Sequence, residues 1–250
     1  MPTPFPNSQT ESDGSAVIRA LSYNIRSLRD DPEALARIID ACAPDVLLLQ
    51  EAPRFFRWRK KLARLAKATN LVYLTGGAPA AGPAILCSLR ATVENTEDVL
   101  LPLTPGRHRR GLATAVVRFG RARLGLVSCH LGLQKDERQA QSGLLLDRLG
   151  ALGVEHAVVG GDLNEGPAGP AFTLLADVLQ DGAAIAPWGG TDTFPATGPA
   201  RRIDAVLATK GIEVLACGVP TDLPGVTGSD LRAATDHLPV LAALRIPASA

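Results

Sequence analysis

The sequence predicts an α+β fold in which two β-sheets pack face to face and helices cover the outside. Three observations lead there. Ten short runs rich in Val, Leu and Ile are bounded by Gly, Pro, Asn or Asp, as strands are. Helical periodicity falls between only some of these runs, a mixed order that fits packed sheets with outer helices. Neighbouring runs at 112–119 and 124–129 are separated only by residues 120–123, so they read as a hairpin.

The strand-like runs lie at 16–23, 45–49, 71–75, 83–88, 112–119, 124–129, 156–160, 203–209, 212–218 and 238–246. Between them, Asp31 and Pro32 open a helix with Leu35, Ile38, Ile39 and Cys42 on one face; Pro suits a first helical position because its missing N–H is unneeded there. A second helix is expected at 55–69, strongly basic, with Phe56, Leu62 and Leu65 inward. A third runs from about 134 to 152 and a fourth over 168–179. No Pro/Gly/Ser-rich linker divides residues 16–247, so 16–250 is expected to form one domain. Residues 1–15 are polar and Pro-rich and read as a disordered leader without the apolar core of a signal peptide. No apolar run reaches membrane-spanning length. A cytoplasmic monomer is the expectation.

Composition sets further bounds. At 250 residues with 46% hydrophobic and 20% charged side chains, the chain has an ordinary soluble balance and enough length for a large core. Aromatics make up only 4%, which speaks against a surface that grips bases mainly by stacking. Cys42, Cys87, Cys129 and Cys217 stand far apart in apolar runs, so they read as reduced core residues rather than a zinc site. The net charge of +1 conceals an asymmetry: residues 52–135 hold 15 Lys/Arg against 3 Asp/Glu. A basic half can face an anionic substrate, or simply balance the acidic remainder across a solvated surface.

Chemistry collects at strand ends. Asn24 ends one apolar run, Glu51 follows Leu47-Leu48-Leu49-Gln50, and His130 ends Leu126–His130. Asp162 and Asn164 close the run 158–164, and strand alternation places both on one side. Asp204 follows Arg202-Ile203, and Asp236-His237 precede Leu238-Pro239. Each residue alone has an ordinary structural explanation as a turn, cap or surface charge. Together they form a complete set for hydrolysing a phosphate ester. Glu51 and Asp236, with Asn24 as a neutral donor, suit a hard divalent cation. Asp162 suits a base that activates water, with Asn164 holding water or phosphate. His130 and His237 can donate to phosphoryl oxygens or the leaving group. Asp204 can fix the tautomer of a histidine.

The ordered blocks SYNIR, LQE, CHLGL, GGDLNEGP, DTFP, RRIDAVL and TDHLPV resemble the motif series of the endonuclease/exonuclease/phosphatase (deoxyribonuclease I-like) superfamily. They follow its order across residues 22–240. The resemblance implies a four-layer α/β/β/α sandwich with the site where the two sheets open. It implies Asn24 and Glu51 at a Mg²⁺ or Mn²⁺ site, with Asp236 supporting metal or water. Asp162 and Asn164 would bind and activate water, and His237 would pair with Asp204 and contact phosphate. His130 would be the second histidine of the deoxyribonuclease I-like branch. Arg26 stands where the abasic-site endonuclease branch commonly carries an acid. RRIDAVL lacks the Trp- and Cys-containing block of the inositol polyphosphate 5-phosphatases, and HLGLQKDERQAQ resembles small bacterial members.

Substrate groups are less sharply marked. In Gly106–Gly111, Arg110 lies nearest the following strand and is the candidate phosphate clamp, against a solvated loop as the alternative. The stretch 54–67 carries seven Lys/Arg and no acid; it could touch a nucleic-acid backbone or form a wet helix face. Trp188 and Phe194 are expected at the pocket border, with Phe194 either against a sugar or base or simply closing the core. The leading expectation is a metal-dependent phosphodiesterase or nuclease. A phosphomonoesterase or lipid-headgroup phosphodiesterase using the same site is the second, and a non-catalytic phosphate-binding protein the third.

Overall fold

The computed structural model describes residues 4–249. Its elements in chain order are β1 (Gln9–Thr10), β2 (Ala16–Asn24), α1 (Pro32–Cys42), β3 (Val46–Gln50), α2 (Trp58–Ala68), β4 (Val72–Gly76), β5 (Ala84–Cys87), β6 (Thr92–Leu100), β7 (Gly111–Phe119), β8 (Ala122–His130), α3 (Lys135–Ala151), β9 (Ala157–Asp162), α4 (Pro170–Val178), β10 (Leu179–Asp181), α5 (Gly182–Ile185), β11 (Asp204–Thr209), β12 (Glu213–Gly218), α6 (Gly228–Ala234) and β13 (Val240–Ile246). One sheet has the order β12-β13-β2-β3-β5-β4, with β1 paired to β2; the other runs β10-β11-β9-β8-β7-β6. Both are mixed: β2/β3 and β8/β9 are parallel, and the remaining pairs antiparallel.

Strand alternation divides the core into three apolar layers, and these make the four-layer sandwich. Leu21, Leu47 and Leu49 face outward against α1, where Leu35, Ile38 and Ile39 are buried. The alternate residues Ile18, Ala20, Val46 and Leu48 meet Ala115, Leu124, Leu126 and Val158 between the sheets. Val127, Cys129 and Val159 face Leu145, Phe172 and Leu175 of α3 and α4. Period two in the strands thus supplies both faces of each sheet.

The predicted strands all form, within a residue or two of their expected ends. Asp31 caps α1 by accepting from the N–H groups of Glu33 and Ala34, as its place before Pro32 predicts. The β7–β8 hairpin is tighter than expected. Phe119 pairs with Ala122, leaving a two-residue turn in which Gly120 takes φ +61°, a conformation costly for most residues. The second helix is shorter, beginning at Trp58 after a left-handed Arg57. Phe56 therefore lies outside it and is 79% exposed, whereas Leu62 and Leu65 are buried as expected.

The expected disordered leader is corrected over its described part, while residues 1–3 lie outside the described residues. Phe5 is buried, with its ring 4.7 Å from that of Trp188. The buried Arg19 guanidinium donates to the carbonyl of Pro6 at 2.9 Å and to Asn7 Oδ1 at 2.9 Å. Gln9 and Thr10 pair with Val17 and Ala16. A buried arginine, the only charged residue of β2, requires partners, and the N-terminal segment provides them. All four cysteines are free and buried.

Candidate active site

The inward-facing rows of the two sheets change character along their length. In β2 the row Ala16, Ile18, Ala20 continues as Ser22 and Asn24. In β3, Val46 and Leu48 lead to Gln50. In β8, Leu124 and Leu126 lead to Ser128 and His130, and in β9, Val158 leads to Gly160 and Asp162. Apolar residues thus fill one end of the intersheet space and polar residues the other. The antiparallel register β9/β11 sets Asp204 opposite Asp162, and the parallel register β8/β9 sets His130 beside it.

A buried polar plug lies directly below. Gln50 Nε2 donates to the carbonyls of Leu48 and Gly160, at 3.0 and 3.4 Å, and to Ser128 Oγ at 3.3 Å. Ser22 Oγ donates to Gln50 Oε1 at 3.4 Å, and Ser128 Oγ to the Leu49 carbonyl at 2.6 Å. Satisfied buried polar groups of this kind fix the register of the elements they join. Gly160 has no room for a side chain, because a Cβ there would lie 2.5 Å from Leu48 Cδ1.

Asp162 is the hub above the plug. Its Oδ2 accepts from Asn24 Nδ2 at 3.0 Å, and His130 Nε2 lies 3.3 Å away. Its Oδ1 accepts the Asn164 N–H at 2.9 Å. His237 Nε2 is 3.7 Å from Oδ2, while His237 Nδ1 lies 2.9 Å from Asp204 Oδ2. Burial and the neighbouring Asp204 charge push the Asp162 carboxyl up to about 7, against the lowering effects of His237, Asn164 and Asn24. Burial opposes charge on His237, but the hydrogen bond and charge of Asp204, with the charges of Asp162 and Asp236, outweigh it and raise the ring to about 9. Burial and then repulsion from Arg110, His237, Arg54 and His108 hold His130 well below the usual histidine range. Two neighbouring imidazoles are thereby driven in opposite directions: His237 toward the cation, His130 toward the neutral form.

The expected positions are met unevenly. Asn24, Glu51, His130, Asp162, Asn164, Asp204 and His237 converge at one end of the sandwich, and Glu51, His130, Asp162, Asn164, His237, Arg110 and Phe194 line one cavity of about 610 Å³. Asn164 arrives by a different route from the one expected. β9 ends at Asp162, and Asn164 turns in at φ +52°, held by its N–H on Asp162 and its Nδ2 on the Leu131 carbonyl at 3.0 Å. Asp236 is not among the residues lining the cavity: its Oδ2 lies 3.4 Å from Arg26 Nε, and Thr235 Oγ1 donates to its Oδ1. Trp188 packs with Phe5, away from that lining.

Supporting contacts hold these groups in place. Thr193 Oγ1 accepts the N–H groups of Ile203 and Asp204, and its carbonyl accepts the Leu238 N–H at 2.7 Å. Phe194, next along, packs against the His237 ring with centroids 4.8 Å apart and planes tilted by 53°. Glu165 accepts the N–H groups of Ala171 and Phe172 at the start of α4 and pairs with Arg138. Arg107 pairs with Asp136 at 3.0 Å, anchoring the arginine-rich loop to α3. Arg29, Arg54, His108, Arg201, Phe55 and Leu133 also line the cavity. Arg54 and His108 lay within basic stretches noted in the sequence, but their convergence depends on loops brought together by the fold.

A divalent cation has two candidate seats. Among the described residues, Asp162, Asp204 and His237 offer ligand atoms within 4.8 Å of one another. His237 already serves both carboxylates, however, so that group is internally matched. Glu51 borders the cavity, has no ion pair among the described residues, and has Asn24 Nδ2 at 3.5 Å. An oxygen donor of this kind fits a hard cation.

Comparison with solved structures agrees with the architecture. An endonuclease/exonuclease/phosphatase from Bacteroides vulgatus matches with TM-score 0.75 and 19% identity, over 92% of this chain and 99% of the other. A mannosyl-6-phosphatase from Bacteroides thetaiotaomicron matches with TM-score 0.77 and 18% identity, over 91% and 99%. Danio rerio TDP2 complexed with a single-strand DNA product matches with TM-score 0.69 and 17% identity, over 91% and 98%. No curated protein matches by sequence. The model of the endonuclease/exonuclease/phosphatase family matches residues 21–237, spanning every motif block from Asn24 to His237, and the chain belongs to that family.

Proposed function

We propose that the protein is a divalent-metal-dependent phosphodiesterase whose reaction centres on Asp162. The observation that carries this reading is the hub itself: a buried carboxylate, two histidines of opposite protonation tendency and the Arg110 guanidinium converge on one cavity. Asp162 takes a proton from water that Asn164 helps to position. Asp204 holds Nδ1 of His237, leaving Nε2 to donate to a phosphoryl oxygen. Neutral His130 donates its ring N–H to the phosphate or leaving group. Arg110, with a buried Nε that has no hydrogen-bond partner, offers a planar fork to phosphate oxygens. Glu51, with Asn24, would hold Mg²⁺ or Mn²⁺, which supplies charge neutralisation at the phosphoryl group.

Family members act on phosphate esters, and the diester reading draws on the likeness to a TDP2 bound to DNA product. A monoester reading draws on the likeness to a mannosyl-6-phosphatase. Bis(p-nitrophenyl) phosphate and p-nitrophenyl phosphate separate the two. The diester should be hydrolysed faster with Mg²⁺ or Mn²⁺, and Asp162→Asn should lower that rate about 10³-fold without unfolding the protein. Preferential hydrolysis of the monoester would favour the second reading, and full activity of Asp162→Asn would remove the base assignment.

A further inference from the structure

We infer that the cavity accepts a substrate carrying a second phosphate beside the reacting one, held by Arg54 and His108 with Arg110; this rests on the hydrolytic reading above. Charge balance is the first ground. The lining includes Arg29, Arg54, Arg110, Arg201 and His108, against Glu51 and Asp162 as its only acids. Asp162 is already engaged by Asn24, Asn164 and the two histidines. A single phosphate ester carries one to two charges, so the four guanidinium groups exceed what it needs. A cation at Glu51 would widen that excess.

Arginine pairing is the second ground. Among the described residues, ten arginines elsewhere form carboxylate ion pairs. Among the described residues, none of the four that line the cavity does so. Arg54 Nη1 donates only to the Ala81 carbonyl, at 3.2 Å, and its guanidinium lies 5.6 Å from the Phe55 ring centroid. Burial opposes the charge of Arg110, whose Nε has no partner. A half-buried guanidinium with an unsatisfied Nε is costly to maintain, and an anion accepting from Arg110 relieves that cost.

Placement is the third ground. Arg201 stacks on Phe194 at 4.8 Å, and Phe194 lies against His237. Arg110 and His108 instead share a wall with Leu133, and Arg54 lines the same cavity. Arg201 therefore borders the His237 end of the cavity, whereas Arg110, His108 and Arg54 are left for its other side. A phosphate adjoining the reacting one on that side would meet three donors, two of which the reaction does not use.

Calorimetry with inorganic phosphate and pyrophosphate, on the whole protein in metal-free buffer, tests this without turnover. Wild type should bind pyrophosphate about tenfold more tightly than phosphate or better, as an added set of charge-assisted hydrogen bonds implies. Arg54→Ala and His108→Ala should collapse that ratio toward one. Arg54→Lys should keep part of it, and Arg57→Ala, whose guanidinium lies over Phe56 outside the cavity, should keep all of it. Thermal unfolding of each variant checks that the fold persists. Displacement of pyrophosphate by tetrathymidylate points to a nucleic-acid strand, and displacement by a hexose bisphosphate to a small bisphosphate. Equal affinity of wild type for the two probes, a ratio that survives both alanine variants, or displacement by neither competitor would overturn the proposal. Absence of ester hydrolysis with the binding pattern intact would instead count against the hydrolytic reading.

Discussion

Asp204→Asn isolates the electrostatic work done on His237. The carboxylate lies 2.9 and 3.2 Å from Nδ1, and the asparagine keeps the size and an oxygen acceptor while removing the charge. In the wild type the ring is held at about 9 against an ordinary 6.5, a preference for the cation on the order of 3 kcal/mol at about 1.4 kcal/mol per tenfold. Burial is the largest single influence on this ring and acts in the opposite direction. Without Asp204, only the charges of Asp162 and Asp236 oppose burial, and the ring should titrate well below 9. The sign of the stability effect follows. A raised histidine stabilises the fold fully below 6.5, and the contribution fades as pH rises through about 9. Wild type should lose stability across that window, and the variant should show a flatter profile there. Asp162, raised to about 7, acts in a more acidic window that meets the first near neutrality: its contribution is favourable below about 3.8 and lost as pH climbs toward 7. Histidine NMR titration of the metal-free protein reads the ring directly, with urea unfolding at pH 6, 7.5 and 9 as the companion. A His237 ring still titrating near 9 in Asp204→Asn would refute the assignment of Asp204 as the source of the shift.

Two further perturbations probe the site and its foundation. Arg110→Ala should lower kcat/KM for ester hydrolysis by about tenfold to a hundredfold, and Arg110→Lys should recover only part, because lysine supplies charge without the planar fork; unchanged kinetics in the alanine variant would remove Arg110 from substrate binding. Gly160→Ala places a Cβ against Leu48 and Ser22 between the sheets and should destabilise the protein by about 1–3 kcal/mol in urea unfolding, whereas wild-type stability would show that the intersheet space can relax.

Much of the site was legible because strand alternation is a local property. The rows ending in Asn24, His130 and Asp162 could be read from every second residue of an apolar run. Asp204 and His237 followed from the motif series, and their pairing is the geometry observed. Asn164 was placed correctly for an incomplete reason, since the strand stops two residues before it and a left-handed turn completes the approach. Asp236 was harder, because its direction depends on Arg26, distant in sequence and close in space. β6 escaped notice because TVENTEDVL lacks an apolar face; its acids suit a sheet edge that must not pair with another chain. The N-terminal segment departs from expectation for a related reason. Its composition is that of a loose tail, and only the buried Arg19, in a strand otherwise without charge, hinted that something had to cover it. The cavity wall formed by Arg54, Phe55, His108 and Leu133 comes from three separate loops, so no short sequence window displays it.

We propose metal-dependent ester hydrolysis at the Asp162–His237–Asp204 centre. It is tested most directly by following phosphate-ester cleavage with ³¹P NMR while titrating Mg²⁺ or Mn²⁺ into metal-free wild type and His237→Ala. Cleavage should appear with the cation, vanish with chelator, and fall about 10²- to 10⁴-fold in the folded variant. Cleavage at an undiminished rate in His237→Ala, or in the presence of chelator, would contradict it.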